Sequence, residues 1–401
     1  MNHCCKKLKT QSMIANKMTL LCAIVYLLVA ITVVPNIFAQ EKETPIKIFG
    51  YFQNSFQQWT AFQERPKQNS FSLQQLNLLL QKDLGPNWTA FVNFEFLHNF
   101  SSGRQWGSAK LEEAWVKYRA DMRFNLKLGL LIPIFNNLNE IKNRTPLLPY
   151  IIRPLAYETS FSEFIPIEVL TPVQAFAQVY GFFPAGEAKF DYAVYVGNSP
   201  NINNDSKIGQ TGIDSTATFL LGGRLGWRYG ELKLGLSATY DKDNSAEVLA
   251  DSLNIPRSEL SAIPKIRFGG DLSYDLGDFS FESEFIRVSL ERDSPKLDRT
   301  LDFYYATLGY HFTEALFIYG SYWFLDSHAA IPALPNKRKK EDEDVKVKTF
   351  GASFNIMDRV RLKAQFARVK LDHEELKLSD GLVTRTEDNF STFSLAISVF
   401  F

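Results

Sequence analysis

The four histidines beyond the first forty residues, His98, His311, His328 and His373, are the first residues to test for chemistry, and none stands at metal-ligand spacing from another. The densest titratable group is Asp372-His373-Glu374-Glu375, which could hold a cation, but such a run in a loop is ordinarily just solvated. Gly222, Gly223, Gly226 and Gly230 lack the buried strand-to-helix unit that a phosphate loop requires. In a strand, glycines of this kind allow bending or close packing. Cys4, Cys5 and Cys22 all fall within the first forty residues, so a chain trimmed there has no thiol for catalysis, bridging or metal binding. A hydrolase would need a Ser–His pair or an acidic cluster beside a His, and sequence spacing neither places nor excludes one. Cofactor chemistry has no motif here.

A different pattern is carried by the cations. Lys117, Arg119, Arg123, Lys127, Lys189, Arg224, Arg228, Lys233, Lys265, Arg267, Arg361 and Lys363 recur opposite apolar residues in alternating segments. Glu95, Glu113, Asp191, Asp271, Glu282 and Glu284 share their face. If that face encloses water, the lining is about two to one basic, and rows of Lys and Arg favour the passage of anions. The alternative is that these charges only solvate a wet wall or pair across strands.

The elements that would position them are strands. In FSTFSLAISVFF at 390–401, Phe393, Leu395, Ile397, Val399 and Phe401 take one face, and Thr392, Ser394, Ala396 and Ser398 the other. Leu232, Leu234, Leu236, Ala238 and Tyr240 likewise oppose Lys233, Gly235, Ser237 and Thr239. Segments of this type run through 46–58, 72–81, 88–97, 110–119, 123–131, 173–183, 188–196 and 219–229. They continue through 231–240, 265–274, 279–290, 301–312, 315–325, 345–356, 359–369 and 390–401, which gives about 16 strands, the even number that a bacterial barrel requires. The strand at 46–58 is apolar on both faces, so its sides stay unassigned.

Connections alternate between short and long. DLGPN at 83–87, PAGE at 184–187 and DLGD at 275–278 are tight turns, whereas 198–217, 241–264, 326–344 and 372–388 are long polar loops. Trp88, Tyr118, Phe190, Tyr192, Trp227, Tyr229, Tyr274, Phe279, Tyr310 and Phe312 collect beside the short turns, as an interfacial aromatic girdle would. The expected fold is therefore an all-β transmembrane antiparallel barrel with short periplasmic turns, long extracellular loops and a wet, polar interior.

Residues 1–40 read as an export signal: Lys6, Lys7, Lys9 and Lys17 precede the apolar stretch 20–34, and Pro35 breaks it ahead of a cleavage site after Ala39 or Gln40. The barrel then occupies 41–401. Without those four lysines the chain carries 40 basic against 44 acidic residues, which is no footprint for nucleic acid. No later stretch has the run of apolar residues needed for a transmembrane helix. Outer-membrane lipid and lipopolysaccharide are the expected surroundings, and the closing strand at Phe401 the expected contact for the barrel-assembly machinery. Lys346 and Lys348 face outward near the outer end of their strand, where pairing with lipopolysaccharide phosphates and simple solvation are both open.

The connection 132–172, between the fifth and sixth strands, holds Pro133, Pro146, Pro149, Pro154, Pro166 and Pro172 together with many apolar groups. A loop of that length and character would not stay solvated, so it is expected to fold into the lumen and narrow it. Glu140, Lys142, Arg144, Arg153, Glu158, Glu163 and Glu168 would then stand at the constriction, where low-dielectric walls focus their field. An ordered cap over the mouth is the alternative.

Phe49-Gly50-Tyr51-Phe52, the strand Glu112-Glu113-Ala114-Trp115-Val116-Lys117-Tyr118, Leu126-Lys127-Leu128-Gly129 running into Pro133, and Gly309-Tyr310-His311-Phe312 resemble the phosphate-selective porin O and P family. The resemblance implies a sixteen-stranded outer-membrane porin, commonly trimeric, with an inward third loop. The arginine ladder of its phosphate-selective members has no counterpart that the sequence places. The function expected is passive diffusion of small hydrophilic solutes with an anion leaning, phosphate included, and no enzymatic activity. A surface adhesin or receptor acting through the long loops, or a barrel hydrolase, are the alternatives.

Overall fold

The computed structural model describes residues 44–61, 66–97, 108–158, 170–199, 218–243, 263–290, 299–331, 339–377 and 382–401. The expected export signal lies outside these residues. Alternation of apolar and polar side chains leaves a strand with one face for lipid and one for the interior, and hairpin closure satisfies every backbone group only if the sheet has no edge. The chain obeys both conditions with sixteen strands. These are β1 (Lys47–Trp59), β2 (Gln68–Gly85), β3 (Trp88–Leu97), β4 (Ser108–Arg119), β5 (Asn125–Leu131), β6 (Ala175–Ala185), β7 (Ala188–Asn198) and β8 (Phe219–Tyr229). The second half contains β9 (Leu232–Asp243), β10 (Ile263–Leu276), β11 (Phe279–Leu290), β12 (Arg299–His311), β13 (Leu316–Ile331), β14 (Lys339–Met357), β15 (Val360–Lys377) and β16 (Leu382–Phe400). Each pairs antiparallel with its sequence neighbours, and β1 pairs with β16 to close the barrel.

The seam is sealed to its end. Gly50 N donates to Phe401 O at 2.8 Å, and Phe401 N donates to Gly50 O at 3.0 Å. The sides of β1 are settled by burial: Tyr51, Gln53 and Ser55 point inward and are buried, while Ile48 points outward. Tight turns need left-handed backbone, and Gly186, Gly230 and Gly277 supply it at φ 63°, 55° and 58°. Beside these turns the expected aromatic girdle forms as ring pairs: Trp88 with Tyr118 at 4.9 Å, Phe279 with Tyr310 at 4.7 Å and Tyr310 with Phe312 at 4.8 Å.

Two expectations need correction. The stretches 241–264, 326–344 and 372–388 are not loops throughout, because β9, β10 and especially β13 to β16 continue well into them. The backbone of these polar stretches pairs in register from β13 to β16, so strand continues through them. Nor is the interior polar all round. Above Thr307, Ser321, Thr349, Gln365 and Thr392, the inward residues of β11 to β16 become Ile286, Val288, Leu301, Phe303, Tyr305, Trp323, Leu325, Val345, Val347, Ala367, Val369 and Phe390, all buried. A wet lumen cannot face such a wall, and the chain covers it with its own loop.

Candidate functional site

The loop joining β5 to β6 folds into the barrel, as its apolar content requires. Phe135, Leu138, Leu148, Tyr150, Ile152, Leu155, Ala156 and Tyr157 pack into one continuous core with the inward apolar side chains of β11 to β16. Each fully buried Leu, Ile or Phe contributes roughly 1.5–3 kcal/mol by leaving water. Residues 159–169, including Glu163 and Glu168, lie outside the described residues.

Backbone groups pulled off the surface must find partners inside. Gln365 on β15 supplies three bonds: its Oε1 accepts from Ile151 N and Ile152 N, both at 2.8 Å, and its Nε2 donates to Ile152 O at 2.9 Å. Glu284 on β11 accepts from Asn137 N at 3.0 Å and Leu138 N at 2.9 Å, and the Tyr157 hydroxyl donates to its other oxygen. Lys363 donates to Thr145 O at 2.8 Å, Tyr150 O at 3.2 Å and Gln53 Oε1 at 2.8 Å. Gln75 on β2 accepts from Thr145 N at 3.2 Å, and Ser237 on β9 accepts from Asn136 N at 3.0 Å. Asn136 itself adopts φ 51°, the left-handed turn that brings the loop against β10 at Gly269. With anchors on β2, β9, β11 and β15, the loop crosses the interior and narrows it.

The expected lining cations divide into two groups. Arg224 is clamped by Asp271 through two bonds at 2.5 and 3.0 Å. Lys265 and Arg267 are fully buried and share Asp241 at 3.5 and 3.2 Å, and Lys363 is consumed by the loop. These four therefore do not line a water path, contrary to expectation, because each is sealed behind loop or neighbouring strand. The second group stands, exposed or half-buried, at the end of the barrel near the short turns. Lys117 stands directly across from Lys127, and Lys189, Arg228 and Lys233 form one row across β7, β8 and β9. Arg119 and Arg123 are exposed at the same end, and Arg361 is half-buried. Of this second group, Arg228 pairs with Asp191 at 2.7 Å and Lys127 with Glu140 at 3.4 Å. Among the described residues, Lys117, Arg119, Arg123, Lys189 and Lys233 have no acidic partner within 4 Å.

The loop charges are spent on internal pairing. Arg144 lies 3.4 Å from Glu113, Arg153 lies 3.5 Å from Glu158, and the Arg153 backbone N donates to Glu158 at 2.8 Å. Lys142 is buried and donates to Thr171 Oγ1 at 3.1 Å; burial first of all pushes its ammonium down to about 7, against the pull of Glu112. Burial, and then the neighbouring Glu282 and Glu284 carboxylates, push the Tyr150 and Tyr157 hydroxyls well up, so both stay protonated donors.

Sequence reasoning missed the acceptors that decide this division. Asp241 was expected in a loop, and the glutamines Gln75 and Gln365 carry no charge to notice. Their signal was a long polar side chain on an inward position next to an apolar one. No described group of three or more His, Cys, Asp or Glu residues could hold a metal.

A sequence profile described as Gram-negative porin matches residues 154–374, more than half of the chain. No curated protein matches. Among solved structures, an anion-selective porin from Comamonas acidovorans superposes with TM-score 0.59 at 13% identity, over 89% of this chain and 99% of that one. The outer membrane channel DcaP of Acinetobacter baumannii gives 0.54 at 10% identity, over 90% and 98%. A loop L8 deletion mutant of the Vibrio cholerae outer membrane protein OmpT gives 0.55 at 10%, over 89% and 99%. A closed sixteen-stranded barrel narrowed by its own loop and matched by that profile has one reading: the chain belongs to the Gram-negative porin family and resides in the outer membrane.

Proposed function

We propose that this porin is a passive diffusion channel for small hydrophilic solutes, leaning toward small anions, phosphate among them, and not an enzyme. One observation carries the reading. Among the described residues, the interior acids named above are paired or hydrogen-bonded to the loop, whereas Lys117, Arg119, Arg123, Lys189 and Lys233 stand near the short turns with no acidic partner within 4 Å. A solute leaving the narrowed section meets an excess of positive charge, focused by low-dielectric walls, and this lowers the barrier for anions relative to cations. The cations stand in separate groups, not in one continuous ladder, so the preference is modest and for charge ahead of shape.

Reversal potential in a KCl gradient across a planar bilayer tests this directly. Chloride preference is expected, with added phosphate reducing the chloride current, and potassium preference overturns the reading. We further propose removal of residues 1–40 on export, which N-terminal sequencing of the membrane form checks. Assembly as a homotrimer is supported by the trimer form described for Vibrio cholerae OmpT, which superposes at TM-score 0.52 and 11% identity. Unheated gel mobility and native mass test the trimer. Insertion through the barrel-assembly machinery by the closing strand at Phe401 completes the proposal, and depletion of that machinery should leave the chain unfolded.

A further inference from the structure

The outer surface of β13 to β16 is banded. Phe350, Phe366 and Phe393 align across β14, β15 and β16 and are exposed to lipid. The next outward row is Tyr322, Lys348 and Arg368, and the one above it Phe324, Lys346, Lys370 and Asn389. A third row, Asp326, Asp344, Asp372 and Glu387, is acidic throughout. Tyr322, Lys346, Lys348, Arg368, Lys370, Glu387 and Asn389 together line a groove of about 400 Å³ on this outer face.

The two basic rows are not equivalent. Lys346 is held by Asp344 at 3.1 Å and Asp372 at 3.5 Å, and Lys370 by Asp372 at 3.2 Å and Glu387 at 3.1 Å. Lys348 and Arg368, directly opposite one another, have no acidic partner within 4 Å among the described residues. Adjacent strands lie about 4.8 Å apart, so one tetrahedral anion can touch both side chains. Counted from their short turns, Lys348 and Arg368 occupy the strand positions that Leu221 and Tyr240 hold on β8 and β9, where both side chains are exposed apolar belt. Two free cations thus stand at the level where the opposite wall still presents apolar belt, with aromatic side chains directly below.

We propose that this groove binds a phosphate group of lipopolysaccharide lipid A in the outer leaflet. Arg368 offers a planar fork for two phosphate oxygens and Lys348 a point charge beside it. Lys346 and Lys370, fixed by the acidic row, shape the upper edge, and the phenylalanine row receives the acyl chains. This inference rests on the outer-membrane location and is independent of which ions cross the pore.

The test uses the full porin purified from membranes, stripped of glycolipid and titrated with phosphorylated lipid A, dephosphorylated lipid A and inorganic phosphate, with binding read by native mass spectrometry. The wild type should retain phosphorylated lipid A, and the Lys348→Gln/Arg368→Gln variant should bind it about tenfold more weakly, the loss of charge-assisted bonds. Heat-modifiable mobility and single-channel conductance of that variant should match the wild type, which establishes that it folds. A Lys189→Gln/Lys233→Gln variant should retain lipid A normally. Equal binding of dephosphorylated lipid A, displacement by inorganic phosphate alone, or undiminished retention by the Lys348/Arg368 variant overturns the proposal.

Discussion

The wall formed by β6 to β10 and the wall formed by β11 to β16 solve the same topology with opposite chemistry. On the first, Leu225, Leu234 and Leu236 face lipid while Arg228, Lys233 and Asp271 face inward. On the upper part of the second, Trp323, Val347 and Val369 face inward while Lys348, Arg368 and Lys370 face outward. Barrel alternation therefore does not prescribe which face is greasy. It prescribes only that two faces exist, and what each touches (lipid, water or the chain's own loop) decides its composition. Where the loop covers the inside and the outward face carries charge above the phenylalanine row, both demands reverse together.

The strongest way to break this contrast is to loosen the covered wall. Trp323→Ala should cost about 3–5 kcal/mol in urea unfolding, the range for removing a large buried aromatic, and raise single-channel conductance as the loop slackens. Leu225→Ala, at a side chain 69% exposed toward lipid, should cost well below that. Next in size is Gln365→Leu, which strands the Ile151 and Ile152 amides at about 1–3 kcal/mol each and should erase their hydrogen-exchange protection.

The contrast between sealed and water-facing cations can be sharpened by selectivity. Lys233→Glu should move the reversal potential toward potassium, whereas Arg267→Gln, fully buried beside Asp241, should leave it unchanged while lowering stability. The last contrast is a pH dependence at Lys142. Its folded value, lowered to about 7, lies below that of an unfolded lysine, so above pH 7 the unfolded chain binds the extra proton. Stability should therefore rise with pH from about 7 toward the unfolded lysine value and stay flat below 7. A Lys142→Met variant should lose that rise in thermal unfolding followed from pH 6 to 9.

Every strand could be read from the sequence because period-two alternation and glycine-marked turns are local signals. Their outer ends could not, since Asp342, Glu343 and Asp344 look like a loop until β15 is seen paired beside them. The inward loop was legible from its apolar residues and prolines, yet its anchors were not. Glu284 and Lys363 read as pore lining because parity gives only the face, and contact with a distant segment decides whether an inward charge meets water or a backbone amide. Lys117 and Lys233 keep their inward positions with no acidic partner within 4 Å among the described residues.

One bond joins two events in the life of the molecule. Gln53 Oε1 accepts from Ser398 on the final strand at 2.7 Å and from Lys363 at 2.8 Å, and the same ammonium holds the loop at Thr145 and Tyr150. Stitching the cylinder shut and seating its obturator therefore share a fastener. A barrel whose first and last strands are unjoined lacks one of the contacts that steady Lys363 beneath the loop, so closing the circumference also helps to fasten what sits within it.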